Sequence, residues 1–363
     1  MSATVLAVLA KLFRDVSRGC RVHSPLTHTL LTSAADDLDA GGVTQRMMAG
    51  SELDRAGTVP GLRFAAALHR LVLEGKAPAL AGHYPGVGGT PRLATLWSDV
   101  HPVLCEHEDE LRSLIRGTTV QTNEPGRTAP LYGGLLVAAE RAARAAGRAQ
   151  PFPVRLLEVG ASGGLNLRPH LVGYQLSNGT VLGDPGSPLR FDPEWTGLPA
   201  ADLTAPLVLH DRAACDVRPV DVTSEQGRLH LSSFVWADQL DRWNRLRAAI
   251  DLAVRDPVPV ERATGADWLA RRLAQPRPEV LTVVWHSVIW QYVSAVERAR
   301  GRAVLAAAAA RATADSPLAL LVFEPRGGRF DLLLRLWPAG VSLHLGGGSG
   351  HGIPFTWDEQ PWS

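Results

Sequence analysis

The residues best placed to do chemistry lie in Val154-Arg155-Leu156-Leu157-Glu158-Val159-Gly160-Ala161-Ser162-Gly163-Gly164-Leu165-Asn166-Leu167. An apolar run ends in an acid and a glycine-rich turn, and helix-forming residues come next. That order predicts a strand, a tight loop and a helix start, the local geometry that cradles a nucleotide-like cofactor. Glycines such as Gly160 and Gly164 accept positive φ cheaply and let a ligand approach the backbone. Glu158 stands just before the turn, where a carboxylate repels phosphate and attracts a cationic amino group. This favours S-adenosylmethionine (SAM), with its aminoacyl end and sulfonium, over NAD or ATP. The same letters, Gly160 to Gly164, also read G-x-S-x-G, the nucleophile elbow of α/β-hydrolases, with Ser162 as nucleophile. A third reading is a glycine turn with no ligand.

The elements that must hold this loop come in two styles. Residues 1–149 read as helices. Ser24-Pro25 and Thr90-Pro91 each offer an N-cap followed by proline. Leu62–Leu73 has helical periodicity and Gly75 suits its C-cap. Asp99–Ile115 and Pro130–Arg148 are helical, and no strand is expected before residue 154. The pattern changes at Gln150-Pro151-Phe152-Pro153. Strand signals then alternate with helix signals. Strands are expected at Arg155–Val159, Leu229–Trp236, Val258–Val260, Val280–Trp285 and Leu318–Phe323. Helices are expected at Leu240–Val254, Asp267–Ala274 and Val288–Arg311. Asp331–Trp337 and Val341–Leu345 read as a closing strand pair. Residues 170–228 fit the alternation badly and read as an insertion, with a hairpin at Tyr174–Gly183 turned by Asn178-Gly179. The fold expected is α/β, with a mainly parallel Rossmann-like sheet of the methyltransferase type, a terminal antiparallel hairpin and an all-helical N-terminal domain. The domains are 1–149 and 150–363. Because the glycine turn follows the first strand of the α/β half, the cofactor loop is preferred to the nucleophile elbow.

The segments Leu156–Leu167, Gln121-Thr122-Asn123-Glu124-Pro125-Gly126-Arg127 and Val284-Trp285-His286-Ser287-Val288-Ile289-Trp290-Gln291-Tyr292 resemble signatures of an actinobacterial family, domain of unknown function 2332. Cys215-Asp216 to Asp221-Val222, Phe234 to Gln239 and His351-Gly352 fit too. The resemblance spans about residues 10 to 358. It implies a helical N-terminal region joined to a methyltransferase-like core, and no general activity. Gly346-Gly347-Gly348-Ser349-Gly350 departs from it as a glycine-rich, flexible or altered loop.

Several side chains are candidates around the loop. Glu158 would hold the aminoacyl or ribose end of SAM, and Gly160, Ser162, Gly164 and Asn166 would line the cofactor, with Asn166 equally suited to cap a helix. Asp216 and Asp238 compete as the ribose ligand, and Asp267 is a candidate adenine contact or a helix cap. His286, at the edge of a buried strand, is the candidate general base, with Glu124 and Tyr292 as further catalytic candidates. Gln121, Asn123, Glu124, Arg127, Ser287 and Gln291 are candidates to bind a zwitterionic or carboxylate-bearing substrate, arginine pairing with carboxylates through its fork. A local Glu124–Arg127 ion pair is the structural alternative. His83-Tyr84-Pro85-Gly86 is a weaker candidate loop.

Composition bounds the partners. The chain has 363 residues, is 45% hydrophobic, and carries a formal net charge of +1. No strong field would draw nucleic acid or an anionic membrane. Cys20, Cys105 and Cys215 are far apart, so neither a zinc knuckle nor a disulfide framework is expected, and His210, His344 and His351 lack metal-ligand spacing. No signal peptide or spanning segment is read, and a cytoplasmic setting is expected. The functional expectation is a SAM-dependent methyltransferase-like enzyme acting on a small molecule in a pocket at the domain junction, as a homodimer or with a partner subunit. Non-methylating chemistry on the same fold, a non-catalytic subunit and a serine hydrolase are the alternatives.

Overall fold

Ser24 closes the first loop and caps the helix Pro25–Asp39: its Oγ accepts the Thr27 amide, and Pro25 occupies the first helical position. In this computed structural model, residues 3–51, 59–192 and 194–362 are described. The chain forms two compact units, Met1–Thr122 with Thr223–Asn244, and Asn123–Val222 with Arg245–Ser363.

The first unit contains helices and no strand among its described residues. Its core joins Phe13, Leu31, Phe64, Leu68 and Leu104. Pro60–Leu73 is helical as expected, and Gly75 past its end takes φ +73. The single helix expected over Asp99–Ile115 is broken at His107 into Leu96–Glu106 and Glu108–Gly117. Thr90-Pro91 caps nothing, because the next helix starts at Leu96. Leu229–Trp236 is not a strand: Glu225–Ser233 is a helix, capped by Ser224 Oγ accepting from the Gly227 amide. The alternation of Leu229 and Leu231 imitates a strand, but the cap and Leu231–Phe234 burial at helical spacing prevail.

The second unit is built on a large sheet. Its strands are β1 (Val154–Val159), β5 (Trp195–Thr196), β6 (Leu209–Asp216), β7 (Val260–Arg262), β8 (Leu281–Ser287), β9 (Leu318–Arg326), β10 (Arg329–Trp337), β11 (Val341–Gly348) and β12 (Phe355–Pro361). The order across the sheet is β5-β12-β11-β10-β9-β8-β1-β6-β7. From β9 to β7 neighbouring strands are parallel, and β9 to β12 form an antiparallel meander. The closing hairpin expected at 331–345 is thus the middle of a four-strand meander. A small sheet holds β2 (Gly173–Gln175), β3 (Val181–Gly183) and β4 (Arg190–Phe191), with β2 and β3 antiparallel about Asn178-Gly179 as expected.

Other expectations need correction. Residues 170–228 are not a simple insertion, because β6 lies between β1 and β7 in the large sheet. Its first half, Leu209 to Arg212, is partly exposed and charged, so it lacks an apolar signature. No long helix comes after the glycine turn; Leu165–Leu167 and Pro169–Leu171 are single 3-10 turns. The helix expected from Val288 starts only at Ala295, after a 3-10 turn at Trp290–Tyr292. Val288 itself takes φ +55, which no helix accommodates. Gly346–Gly348 belongs to β11 and pairs on both sides, so it is strand and not a loose loop.

The sheet separates two cores because strand side chains alternate between faces. Leu156, Val283, Trp285, Leu321 and Phe323 pack on one face with Leu131 and Leu135 of the helix Thr128–Ala145. Leu157 and Val284 pack on the other with Trp268 and Ala308. Helix Thr128–Ala145, expected with the N-terminal helices, therefore buries its apolar side against the sheet. Among the described residues no helix is long and apolar enough to cross a membrane.

Candidate functional site

β1 is neighbour to β6 on one side and β8 on the other, and the chain leaves β1 for one side before returning to fill the other. Such a switch point opens a crevice at the carboxyl edge, where open α/β sheets hold ligands. Glu158 is the penultimate residue of β1 there and pairs in register with Trp285 of β8.

Glu158 is buried, and its Oε2 has no hydrogen-bond partner. Burial pushes its pKa up to about 8, although Asn166, the Trp285 indole, Arg127 and Arg168 all favour the charged form. Desolvation outweighs them, so the carboxyl is mostly neutral near pH 7. Asn166 Oδ1 and Trp285 Nε1 are likewise buried without a hydrogen bond of normal geometry. Native proteins leave few such atoms, and each calls for an explanation.

The glycine turn is tied down from below and beside. The Gly160 and Ala161 amides donate to Cys215 O at 2.8 and 3.1 Å, and the Gly164 amide to Ala161 O. The Ser162 amide donates to Asp216 Oδ2 at 2.8 Å, while Asp216 Oδ1 accepts from the Arg218 amide. The Gly163 and Leu165 amides donate to Asn123 Oδ1 at 3.0 and 3.2 Å. Gly160, Ser162 and Gly164 take φ of +74, +55 and +68. A Cβ on Gly160 would come within 2.6 Å of Ile289 Cγ2, so Ile289 covers the face expected to be open to a ligand. A Cβ on Gly164 would meet Val260 at 3.0 Å. The turn's amides from 160 to 165 are thus already bonded within the protein.

Asn123, Glu124 and Arg127 reach this edge through the 3-10 turn Pro125–Arg127. Glu124 is buried; its Oε1 accepts the Gly126 amide at 3.2 Å, and Oε2 lies 3.2 Å from His351 Nδ1. Arg127 Nε donates to Gly350 O at 3.0 Å. Gln121 lies in the first unit.

His286 is placed elsewhere. It continues the face of Val284, opposite that of Trp285 and Glu158. Its Nδ1 is 2.7 Å from Glu324 Oε1, and its ring stacks on Trp290 at 5.3 Å and 11°. Glu324 also accepts the Ile289 amide at 3.1 Å and the Trp290 amide at 3.3 Å. Ser287 ends β8 and is buried. Gln291 and Tyr292 are exposed on the following 3-10 turn.

Two further candidates leave the site. Asp238 caps the helix Pro25–Asp39, accepting the Leu26 amide at 3.0 Å and bonding Ser24 Oγ. It lies beyond a helix and not a strand, so of the two ribose candidates only Asp216 adjoins the glycine turn. Asp267 sits in the first turn of Gly265–Arg272, bonded to Thr264 Oγ1 at 2.8 Å and paired with Arg300. His83, the weaker candidate, bonds Asp99 at 2.7 Å within the first unit.

The sequence reading missed Glu324, which ends the apolar run Leu318–Phe323 as Glu158 ends its own run. That shared pattern was the signal that could have found it. His351 was also left without a role, because only the fold brings residue 351 to residue 124.

A family model described as an uncharacterized protein conserved in bacteria (DUF2332) matches residues 10–357. The chain belongs to the DUF2332 family. No curated protein and no solved structure matches it. For a DUF2332 chain the site itself must therefore carry the functional argument. Among the described residues no group of three or more His, Cys, Asp or Glu side chains is arranged to hold a metal ion.

Proposed function

We propose that this chain is an enzyme that binds a small amine-bearing molecule at Glu158, at the carboxyl edge between β1 and β8. The observation that carries the reading is a buried polar cluster: Glu158 adjoins Asn166 and the Trp285 indole, yet Glu158 Oε2, Asn166 Oδ1 and Trp285 Nε1 close no well-aligned hydrogen bond. Two of the three are acceptors. A ligand ammonium supplies the donors they lack and stabilises the ionised carboxylate. Arg127, whose charge acts on Glu158, suits an anionic group on the same ligand.

SAM-dependent methyl transfer is the second reading, favoured by one observation: Glu158 and Asp216 end adjacent parallel strands beside a glycine turn. The ammonium of SAM fits Glu158. The turn fits its carboxylate poorly, because the amides of residues 160–165 are already bonded and Ile289 covers Gly160. His286 also lies on the far face from Glu158, so its use as a base at the same ligand requires the ligand to pass over the sheet edge.

Thermal-shift titration with small primary amines, amino acids and SAM separates these readings. Ammonium binding should strengthen as pH rises through about 8, because only ionised Glu158 attracts a cation, and Glu158→Gln should abolish it. Stabilisation by SAM alone, lost in Glu158→Gln, selects methyl transfer. Equal stabilisation of both proteins by every ligand removes Glu158 from the site and sinks the proposal.

A further inference from the structure

The turn after β8 orients one imidazole on the face of the sheet opposite Glu158. Val288, a β-branched residue, takes φ +55, and its amide donates to Phe323 O at 2.9 Å. A branched side chain in this region is strained, so the neighbouring structure must hold it there. The turn brings the Ile289 and Trp290 amides onto Glu324, which accepts both and lies 2.7 Å from His286 Nδ1. A carboxylate that accepts two amides is an acceptor toward Nδ1 as well. Nδ1 therefore carries the hydrogen, and the neutral ring keeps its lone pair at Nε2. Stacking on Trp290 at 5.3 Å and 11° fixes the plane of the ring. The His286 side chain is 12% exposed. Its Nε2 bonds to no described residue and is not sealed from solvent.

Trp290 also joins this imidazole to two cations. Arg298 and Arg302, one turn apart on the helix Ala295–Ala309, hold their guanidinium carbons 5.7 and 5.8 Å from the Trp290 ring centroid. Neither forms an ion pair with a described residue. The acids close by are committed elsewhere: Glu297 accepts the Ala266 amide and pairs with Arg300, which also takes Asp267. An arginine lying over an indole keeps its in-plane N–H donors for an anion. One lone pair and two unmatched positive charges thus surround a single tryptophan.

We propose that this edge is a second site, in which His286 is the proton acceptor for a small hydroxycarboxylate. Arg298 and Arg302 hold the carboxylate, and Glu324 is a positioning residue that fixes the tautomer of His286. The two guanidiniums disfavour an ammonium here, which leaves a hydroxyl as the donor that Nε2 lacks. In the step the substrate O–H bond breaks, its proton bonds to His286 Nε2, and the electron pair stays on the substrate oxygen. The imidazolium so formed faces the Glu324 carboxylate, which stabilises its charge. None of this depends on the ammonium reading of Glu158.

Acylation of the full chain by diethyl pyrocarbonate, read residue by residue by mass spectrometry, tests the site. The exposed His210 serves as the internal reference in every variant. His286 should react faster than His210 although it is less exposed. Glu324→Gln keeps a hydrogen-bond acceptor and removes the charge, and it should slow His286 by about tenfold or more. Lactate should protect His286 about fivefold better than propionate, which lacks the hydroxyl. Arg298→Gln combined with Arg302→Gln should abolish that protection. A His286 rate below that of His210, or one that Glu324→Gln leaves unchanged, makes His286 a wall residue and overturns the proposal. Lactate protection no better than that of propionate, or protection that survives in the double arginine variant, overturns it as well.

Discussion

Glu158 and Glu324 lie near the carboxyl ends of two parallel strands of one sheet, each after an apolar run, and meet opposite fates. Glu324 accepts from His286 Nδ1 and from the amides of Ile289 and Trp290. Glu158 keeps Oε2 unpaired in a buried setting. The contrast arises from the turns at this edge of the sheet. After β8 the chain turns back over the edge at Val288 and brings two amides to Glu324. After β1 the amides of the glycine turn bond to Cys215, Asp216 and Asn123, and none is left for Glu158. A saturated carboxylate builds structure, and an unsaturated buried one is what the proposed ligand would satisfy.

The largest stability effect is expected where the segments 124–127 and 350–352 interlock. Gly352→Val adds a side chain at positive φ against the Arg127 backbone. It should cost about 3 kcal/mol or more in denaturant unfolding, while Gly147→Val, with open space around it at φ +67, should cost about 1 kcal/mol. Equal losses would show that the interlock is not what holds His351. Glu324→Ala comes next. It leaves a histidine and two amides unpaired, a loss of about 2 kcal/mol, with no change in the titration of Glu158. A shift of that titration would show that the two faces are electrostatically one site. Smaller still is Tyr292→Phe, an exposed position expected to alter stability by less than about 0.5 kcal/mol and ligand binding not at all. Lost binding in that variant would return the 290–292 turn to the pocket.

The sequence disclosed the sheet better than the site. Apolar runs at 155–159, 281–285 and 318–323 are buried on both faces and announced themselves. β6 did not, because His210, Asp211 and Arg212 occupy its exposed half. The helix Glu225–Ser233 was hidden behind an accidental alternation, although Ser224 was a readable cap. Within the site, Glu158, Asn166, Asn123, Glu124 and Arg127 were legible because their types were unusual for their surroundings. Asp216 was legible as a strand-end acid, but its use was not: it holds Ser162 and Arg218. The separation of His286 from Glu158 was also not legible, since both stand at strand ends and only the register, Glu158 opposite Trp285, assigns their faces. His351 meets Glu124 through a contact spanning more than half the chain, which local pattern cannot encode.

Glu158 is buried with one carboxyl oxygen short of a hydrogen bond, and burial favours its protonated form. Its pKa, raised by burial from 4.5 to about 8, means the folded protein binds a proton there that the unfolded chain has lost. This contribution to stability is therefore complete below about pH 4.5 and is lost as pH rises toward and through about 8. Unfolding free energies of wild type and Glu158→Gln, measured by denaturant at about pH 5 and about pH 9, test this directly. The variant should gain on the wild type by a few kcal/mol, on the order of 1.4 per unit of pKa shift, between the two conditions. A difference that stays constant across that range would contradict a buried, protonated Glu158, because the residue would then carry the same charge in the folded and unfolded chain.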